Sequence, residues 1–144
     1  MLHLQNVVRK FEMVTIPEDA TVADAIIKLV DNDFSPLLVP RKNRTDAYGI
    51  VTKKDVIKKV LAECRDPREV QVGEIASKPL VIVNDLSMDV RWAAKMMERC
   101  KVSTLAVFDK GDFYGFVTGQ CIIDEYFNQM RREKIDKTMD YVSC

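Results

Sequence analysis

The sequence has few of the residues from which metal and catalytic sites are most often built. It contains a single histidine, His3, and four cysteines, and no two cysteines have a C-x-x-C spacing. Because zinc sites usually hold pairs of Cys or His ligands close in sequence, we expect no metal site. Scattered cysteines are typical of reduced thiols, which predicts a cytoplasmic protein. We assign no role to His3.

Long apolar runs and an excess of one charge are also missing. No stretch approaches the roughly 20 apolar residues that span a bilayer, and Met1–Phe11 lacks the apolar run of a signal peptide. Lysine plus arginine and aspartate plus glutamate both number 22. Non-specific binding of nucleic acid needs a basic excess that neutralises phosphates. We therefore expect neither a membrane nor a nucleic acid as partner, although a local basic pocket for one small phosphate-bearing ligand remains compatible.

Catalytic motifs are absent as well. The sequence has no G-x-S-x-G elbow, no H-E-x-x-H, no P-loop lysine signature and no G-x-G-x-x-G. Its carboxylates are plentiful but scattered, and a solvated surface is the default location for each. The sequence therefore predicts no catalytic residues, no enzymatic activity and no required cofactor.

What the chain does contain is an internal repeat. The strongest match joins Tyr48–Thr52 to Tyr114–Thr118, at an offset of 66 residues (115 − 49 = 66). Val14–Asp19 matches Leu80–Asp85 at the same offset, and Ser35–Val39 matches Ser103–Val107 at 68 (103 − 35 = 68). Segments that recur in the same order at nearly one offset indicate two copies of one structural unit.

Each copy predicts the element order β-α-β-β-α, a mixed α/β (α+β) fold. In the first copy the expected strands are Met13–Pro17, Leu37–Val39 and Tyr48–Thr52, with helices beginning near Val22 and Asp55. In the second copy they are Val81–Val83, Thr104–Phe108 and Phe113–Thr118, with helices that carry Val90 and Ile122. Trp92 lies beside the apolar stripe of its helix, and we interpret it as part of the core.

The charged segment Glu63–Gln71, which contains Pro67, is typical of a linker between the copies. The predicted domains are residues 1–66, the first repeat with its lead-in, residues 67–128, the second repeat, and residues 129–144, a C-terminal helical extension. Some apolar residues toward the end of the sequence could pack on a neighbour, although packing in the core explains the first three equally well: Tyr126, Phe127, Met130, Met139 and Val142.

The segment Gly49–Asp55 has the composition of a ligand site. Thr52 ends a strand and Asp55 follows at the start of a helix, in the kind of crevice that small ligands favour. A threonine hydroxyl can donate to a sugar or phosphate oxygen, an aspartate can accept from both hydroxyls of a ribose, and Gly49 leaves room for close backbone approach. The same two side chains can equally serve as a helix cap, and the motif alone does not decide between these roles.

The repeat and this motif together resemble tandem CBS domains, also called a Bateman module, over about residues 7–127. The resemblance implies two β-α-β-β-α copies packed pseudo-symmetrically through their sheets, with clefts that take an adenosine compound: AMP, ADP, ATP or S-adenosylmethionine. It also implies a homodimer and an effector protein whose identity the sequence does not give. An adenine nucleotide would be a regulatory ligand.

The resemblance also implies site residues. Asp55 matches the position that holds the ribose, Thr52 the position near ribose and phosphate, and Lys101 a position from which a basic residue reaches phosphate. The expected ligand-binding set is Val14, Thr15, Ile16, Phe34, Ser35, Pro36, Gly49, Thr52, Lys53, Asp55, Lys101 and Thr118. In the second copy Cys121 stands where an aspartate is expected, and a thiol is a weak hydrogen-bond partner. We expect one competent site and one impaired or empty site.

Two functions remain open at this stage. The leading hypothesis is a sensor that binds an adenosine nucleotide between its repeats and transmits a conformational change to a partner. The alternative is a dimeric protein-interaction module whose ligand clefts are vestigial.

Overall fold

The computed structural model describes residues 2–9 and 14–136, and the chain forms two compact units. The first unit is Glu12–Leu80, and the second unit combines Met1–Phe11 with Val81–Cys144. Residues 2–9 and 67–80 therefore each pack with the repeat that the sequence-based boundaries did not assign to them. Residues 1, 10–13 and 137–144 lie outside the described residues. Met139 and Val142, which the sequence analysis singled out, are among them.

The elements follow the chain in this order: α1 (Leu4–Val7), α2 (Val22–Asp31), β1 (Leu37–Val39), β2 (Gly49–Val51), α3 (Lys53–Val56), α4 (Val72–Ile75), β3 (Ile82–Val83), α5 (Val90–Cys100), β4 (Thr104–Asp109), β5 (Asp112–Thr118) and α6 (Gly119–Asp136). A π-helical turn, Ile57–Leu61, continues α3. Helix α6 runs without a break through residue 128, where the sequence had suggested the start of a separate extension.

In the first unit, β1 and β2 pair antiparallel, with Leu37 opposite Val51 and Val39 opposite Gly49. Thr15 adds a parallel bridge to Leu38, so the segment before α2 runs as a third, strand-like edge. The order is strand, α2, β1, β2, α3, which confirms the predicted β-α-β-β-α unit.

The second unit has the same plan with longer strands. Its three-stranded sheet has the order β3-β4-β5. Strands β3 and β4 are parallel, with Ile82 opposite Ala106, and β4 and β5 are antiparallel, with Thr104 opposite Thr118. Helices α5 and α6 follow β3 and β5, so the mixed α+β repeat predicted from the sequence is confirmed.

Helix α2 shows why this sequence forms its elements. Thr21 caps it, because the threonine Oγ1 accepts from the backbone N–H of Asp24 at 3.1 Å. Val22, Ala25 and Leu29 recur at helical spacing and are all buried. Burial of a valine or leucine side chain stabilises the fold by about 1.5–3 kcal/mol, so this face fixes the helix on the sheet.

Each unit is completed by the segment that precedes the other repeat. In the first unit, Val70, Val72 and Ile75 join the core that contains β1 and β2. Leu4 and Val7 lie in the core of the second unit beside its strands. Because short lead-ins contribute buried apolar residues at long sequence separation, the sequence pattern did not reveal which unit each would join.

Trp92 corrects a prediction made from the helical pattern. It lies on α5, but 58% of its surface is exposed, so it is not a core residue. Lys95 places its Nζ 4.6 Å from the centre of the indole ring. The core face of α5 is formed instead by Val90 and Ala93. Within the described residues, no helix is both long enough and apolar enough to cross a membrane.

Candidate functional site

The register of the first-unit sheet brings most of the predicted ligand residues to one edge. Because Leu37 pairs with Val51, the residues just outside this pair, Pro36 and Thr52, lie at the same end of the sheet. The parallel bridge between Thr15 and Leu38 brings the start of the strand-like segment to this end as well. We call this group, Val14, Thr15, Phe34–Pro36 and Thr52–Asp55, the Asp55 edge.

Thr52 and Asp55 form a reciprocal helix cap at this edge. The backbone N–H of Thr52 donates to Asp55 Oδ2 at 2.9 Å, and the backbone N–H of Asp55 donates to Thr52 Oγ1 at 3.4 Å. The threonine hydroxyl also lies 3.2 Å from Oδ2. Such a capping box satisfies free amide groups at the first turn of α3. The structural role that the motif left open is therefore present, and the ligand role stays a prediction.

The other oxygen of Asp55 has two further partners. Ser77 Oγ donates to Asp55 Oδ1 at 3.1 Å, and Lys59 Nζ lies 3.1 Å from the same oxygen. Lys59 also donates to the carbonyl of Ile75 at 2.8 Å and contacts Ser77 Oγ at 3.3 Å. Asp55 is only 8% exposed. Since a carboxylate has about four acceptor positions, Asp55 meets its hydrogen-bonding capacity within its own unit.

Lys59 and Ser77 were missed by the sequence analysis, for different reasons. Lys59 lies four residues after Asp55 on the same helical stretch, a spacing that favours an ion pair and was available as a signal. It belongs to the π-helical turn Ile57–Leu61, and π-helical turns are often found at functional sites. Ser77 is 22 residues from Asp55, and nothing in the sequence indicated that contact.

The loop before β1 carries an exposed aromatic ring beside a buried hydroxyl. Asp33 and Phe34 both have left-handed backbone angles, φ 52° and 59°, which cost about 1–3 kcal/mol each outside glycine. Phe34 is 52% exposed, and Lys53 Nζ lies 5.9 Å from the centre of its ring. Ser35 is 5% exposed, and its Oγ has no hydrogen-bond partner among the described residues. A buried hydroxyl with no partner among the described residues is free to form a hydrogen bond with a further group.

The strand-like segment contributes less to the surface than its three predicted positions suggested. Ile16 is fully buried in the core, so its side chain is not available to a ligand. Its backbone N–H is also used, because it donates to the carbonyl of Leu38 at 2.9 Å. Thr15 is exposed, and its carbonyl accepts from Lys28 Nζ at 2.8 Å. Val14 is half-buried.

Gly49 lies at the far end of β2 from Thr52, where it pairs with Val39. A Cβ atom there would come within 3.0 Å of Lys78 Cγ and 3.3 Å of the Ser77 carbonyl oxygen. The close approach that a glycine permits is thus made by residues of the same unit, which corrects the expectation that Gly49 makes room for a ligand.

A groove of about 650 Å³ lies at that opposite edge. Its lining includes Glu18 and Lys42 and none of the predicted ligand residues. Glu18 pairs with Lys78 and also with Lys42 at 3.0 Å. Hydrogen bonds from Lys78 and then Lys42 lower the pKa of Glu18, and the bond to Glu18 raises the pKa of Lys78. The charges of Glu18 and Lys42 in this groove are therefore engaged in ion pairs within the first unit.

The second unit repeats the cap with a thiol in place of the carboxylate. Thr118 Oγ1 accepts from the backbone N–H of Cys121 at 3.2 Å and lies 3.0 Å from its Sγ. Cys121 is 5% exposed. Lys101, also of this unit, ends α5 with a left-handed backbone, and its largely exposed side chain pairs with Glu98 at 3.2 Å. Among the described residues, no three His, Cys, Asp or Glu side chains are grouped to hold a metal ion.

Comparison with known proteins identifies the family. Residues 5–62 match the family model of the CBS domain. Uncharacterized proteins of Methanopyrus kandleri and Methanocaldococcus jannaschii are 26% and 30% identical to the chain, over 81% and 76% of its length. The chain spans 59% of the length of each of these curated relatives.

Solved structures agree with this assignment. The hexameric CBS-CP12 protein from bloom-forming cyanobacteria is 26% identical, with a TM-score of 0.75 over 92% of this chain and 84% of that one. The chain is a CBS-domain protein with the α+β fold of CBS repeats. CBS domains are regulatory ligand-binding modules and are generally not enzymes.

Proposed function

We propose that this protein is a regulatory module that binds an adenosine compound, AMP, ADP, ATP or S-adenosylmethionine, at the Asp55 edge. Binding changes the conformation of the module, and an effector protein reads that change. The nucleotide acts as a regulatory ligand, and the protein carries out no reaction on it.

The observation that carries this proposal is the convergence of complementary groups at one edge of the first-unit sheet. The exposed ring of Phe34 offers a stacking surface for a base, and the buried Ser35 hydroxyl lacks a partner in the described part of the chain. Thr52 and Asp55 lie at the same edge with hydroxyl and carboxylate groups suited to a ribose. Lys53, exposed at the start of α3, adds a cation for phosphate.

The test is calorimetric titration of the purified protein with each of the four adenosine compounds. We expect saturable binding close to one site per chain, because only the first unit has an aspartate in its cap. Comparable affinities for all four would indicate that the adenosine portion is recognised. A preference for ATP would indicate that lysine side chains such as Lys53 contact its phosphates. Absence of heat for all four, with a folded protein shown by circular dichroism, would overturn the proposal.

A second candidate function is a dimeric interaction module, and the helix surfaces favour it. Each unit exposes large apolar side chains on two helical stretches. They are Ile27, Val30, Ile57 and Leu61 in the first unit and Trp92, Ile123, Phe127 and Met130 in the second. On α6, Ile123, Phe127 and Met130 follow the spacing i, i+4, i+7 and share one face. Since both units present such faces, the partner we propose is a second copy of this chain, in a homodimer that joins like surfaces.

The two candidates are compatible and are separated by titration and sedimentation measured on the same protein. A dimer without nucleotide binding would favour the interaction module alone. Binding by a dimer would support a sensor that works as an assembly.

A further inference from the structure

The carboxylate of Asp55 is already occupied by donors from its own unit. Oδ2 accepts from the backbone N–H and the hydroxyl of Thr52, and Oδ1 accepts from Ser77 Oγ and Lys59 Nζ. A ribose has two neighbouring hydroxyls that would need the same acceptors. A nucleotide can therefore use Asp55 fully only by displacing a donor that is present.

The two oxygens differ in how easily they can be released. The Thr52 N–H belongs to the cap of α3, and loss of its bond to Oδ2 would destabilise the first turn of that helix. Ser77 and Lys59 contact Oδ1 through side chains alone, and a rotation about side-chain bonds removes either of them. Oδ1 is thus the exchangeable acceptor.

We propose that Ser77 and Lys59 are resident competitors for Oδ1, which a nucleotide replaces when it binds. This inference rests on the proposed function and adds its regulation. Without a ligand, Ser77 and Lys59 occupy Oδ1 of Asp55, and the strength of these two contacts sets the affinity for the nucleotide. Lys59 and Ser77 are positioning residues and do not act as ligand-binding groups.

Displacement has a consequence at the end of α4. Lys59 Nζ also holds the carbonyl of Ile75, so its departure from Asp55 disturbs that contact. The backbone of Ser77 remains paired with Ile50 in both directions, at 2.9 and 3.0 Å, which keeps the segment in place while its side chain turns. The first unit ends at Leu80, five residues after Ile75. Ligand binding therefore changes a side-chain contact at Ile75, close to the residue where the first unit ends.

The first test measures AMP affinity by calorimetry in the variants Ser77→Ala and Lys59→Met. Methionine keeps the apolar stem of the lysine and removes only the competing cation. We expect each variant to bind AMP about three- to tenfold more tightly than the wild type, because one competing hydrogen bond is gone. Ser87→Ala, which removes the 2.6 Å serine–aspartate bond to Asp85 in the other unit, and Lys58→Met should leave the affinity unchanged.

The outcomes separate the two proposals. If the wild type binds AMP and both variants bind it with unchanged or weaker affinity, the proposal that Ser77 and Lys59 compete for Oδ1 is wrong. The proposal of a nucleotide site at the Asp55 edge is not affected by that result. Wild-type binding together with tighter binding in both variants supports both proposals. No binding by any of the three proteins removes the proposed function and this inference together.

A second measurement needs no variant. Lys59 contacts three acceptors and is expected to react slowly with an amine-modifying reagent, compared with its exposed neighbour Lys58. Saturating AMP should accelerate the labelling of Lys59, followed by mass spectrometry, and leave Lys58 unchanged. A labelling rate of Lys59 that does not respond to bound AMP would refute the displacement.

Discussion

Asp55 and Cys121 occupy equivalent positions in two caps of the same design, and the proposed difference in ligand binding between the units rests on these two residues. Asp55 accepts a hydrogen bond from the hydroxyl of Thr52, and the Sγ of Cys121 lies 3.0 Å from the hydroxyl oxygen of Thr118. Both Asp55 and Cys121 are buried. The sequence predicted this asymmetry because the repeat aligns the two positions. The sequence analysis missed the ion pair between Asp55 and Lys59, although their i, i+4 spacing was available as a signal. It could not predict the hydrogen bond from Ser77, because that residue is 22 positions away and only the fold brings it near.

Substitution of Asp55 by alanine is expected to weaken both binding and folding. Loss of the ribose acceptor should reduce nucleotide affinity about ten- to hundredfold. Loss of the cap should also lower the free energy of unfolding by about 1–2 kcal/mol. Calorimetric titration and urea unfolding measure the two effects. Thr21→Ala is the matched control, because it removes the cap of α2 and should destabilise the protein similarly without changing affinity. Equal affinity in Asp55→Ala would mean that the ribose is held elsewhere.

Restoration of the second site should need more than Cys121→Asp. Four residues after Asp55 stands Lys59, whereas four residues after Cys121 stands Glu125, which pairs with Arg132 at 2.9 Å. A carboxylate at position 121 would be buried near a like charge, so we expect this variant to lose about 1–3 kcal/mol of stability. The double variant Cys121→Asp, Glu125→Lys should recover stability and raise the nucleotide stoichiometry from one towards two. A stoichiometry of two in the single variant would show that the cation is unnecessary.

At the scale of elements, the repeat predicted the strands and helices well because each is specified locally. The apolar run Leu37–Val39 is a buried strand as expected, and Val22, Ala25 and Leu29 form the predicted helix face. The apolar periodicity gave a wrong prediction where burial depends on what packs against the helix. Trp92 lies next to the apolar stripe of α5, yet that side of the helix faces solvent. Periodicity shows which residues share a face and does not show what covers it.

Helix α5 gives a prediction for stability against acid. Its cap, Asp89, accepts from the backbone and side chain of Arg91, and these bonds lower the pKa of Asp89 to about 2. A carboxylate with a lowered pKa stabilises the fold above its unfolded pKa, and this contribution is lost as pH falls through the folded value. The wild type should exceed Asp89→Asn in unfolding free energy by about 1–2 kcal/mol at pH 6, and the difference should shrink between pH 4 and 2. Urea unfolding across this range measures it.

The matched control for this prediction removes the cation. In an Arg91→Gln background, Asp89→Asn should cost less at pH 6, and its pH dependence should flatten, because side-chain bonds from Arg91 are the main cause of the shift. A pH-dependent difference of the same size in that background would contradict this assignment.

At the scale of the whole molecule, apolar side chains on the helix surfaces predict self-association. Phe127→Glu places a charge within the exposed face of α6 and should shift the protein from dimer to monomer in sedimentation velocity, with an unchanged circular dichroism spectrum. Gln129→Glu, half-buried on the same helix, adds the same charge about 200° around the helix axis from Phe127 and should leave the dimer intact. A monomeric wild type, or a dimer that tolerates Phe127→Glu, would exclude this surface as the contact.

The second unit is built from two separate segments of the chain. This arrangement sets the order in which the two units can fold during synthesis. The first unit comes from one continuous stretch and can close as soon as residue 80 has emerged. The second needs Leu4 and Val7 together with strands that follow the whole first unit along the chain. The apolar side chains of Leu4 and Val7 therefore stay uncovered until the first unit and these strands have been synthesised. Closing so long a loop is slow, and the second unit should be the late and vulnerable step in biogenesis.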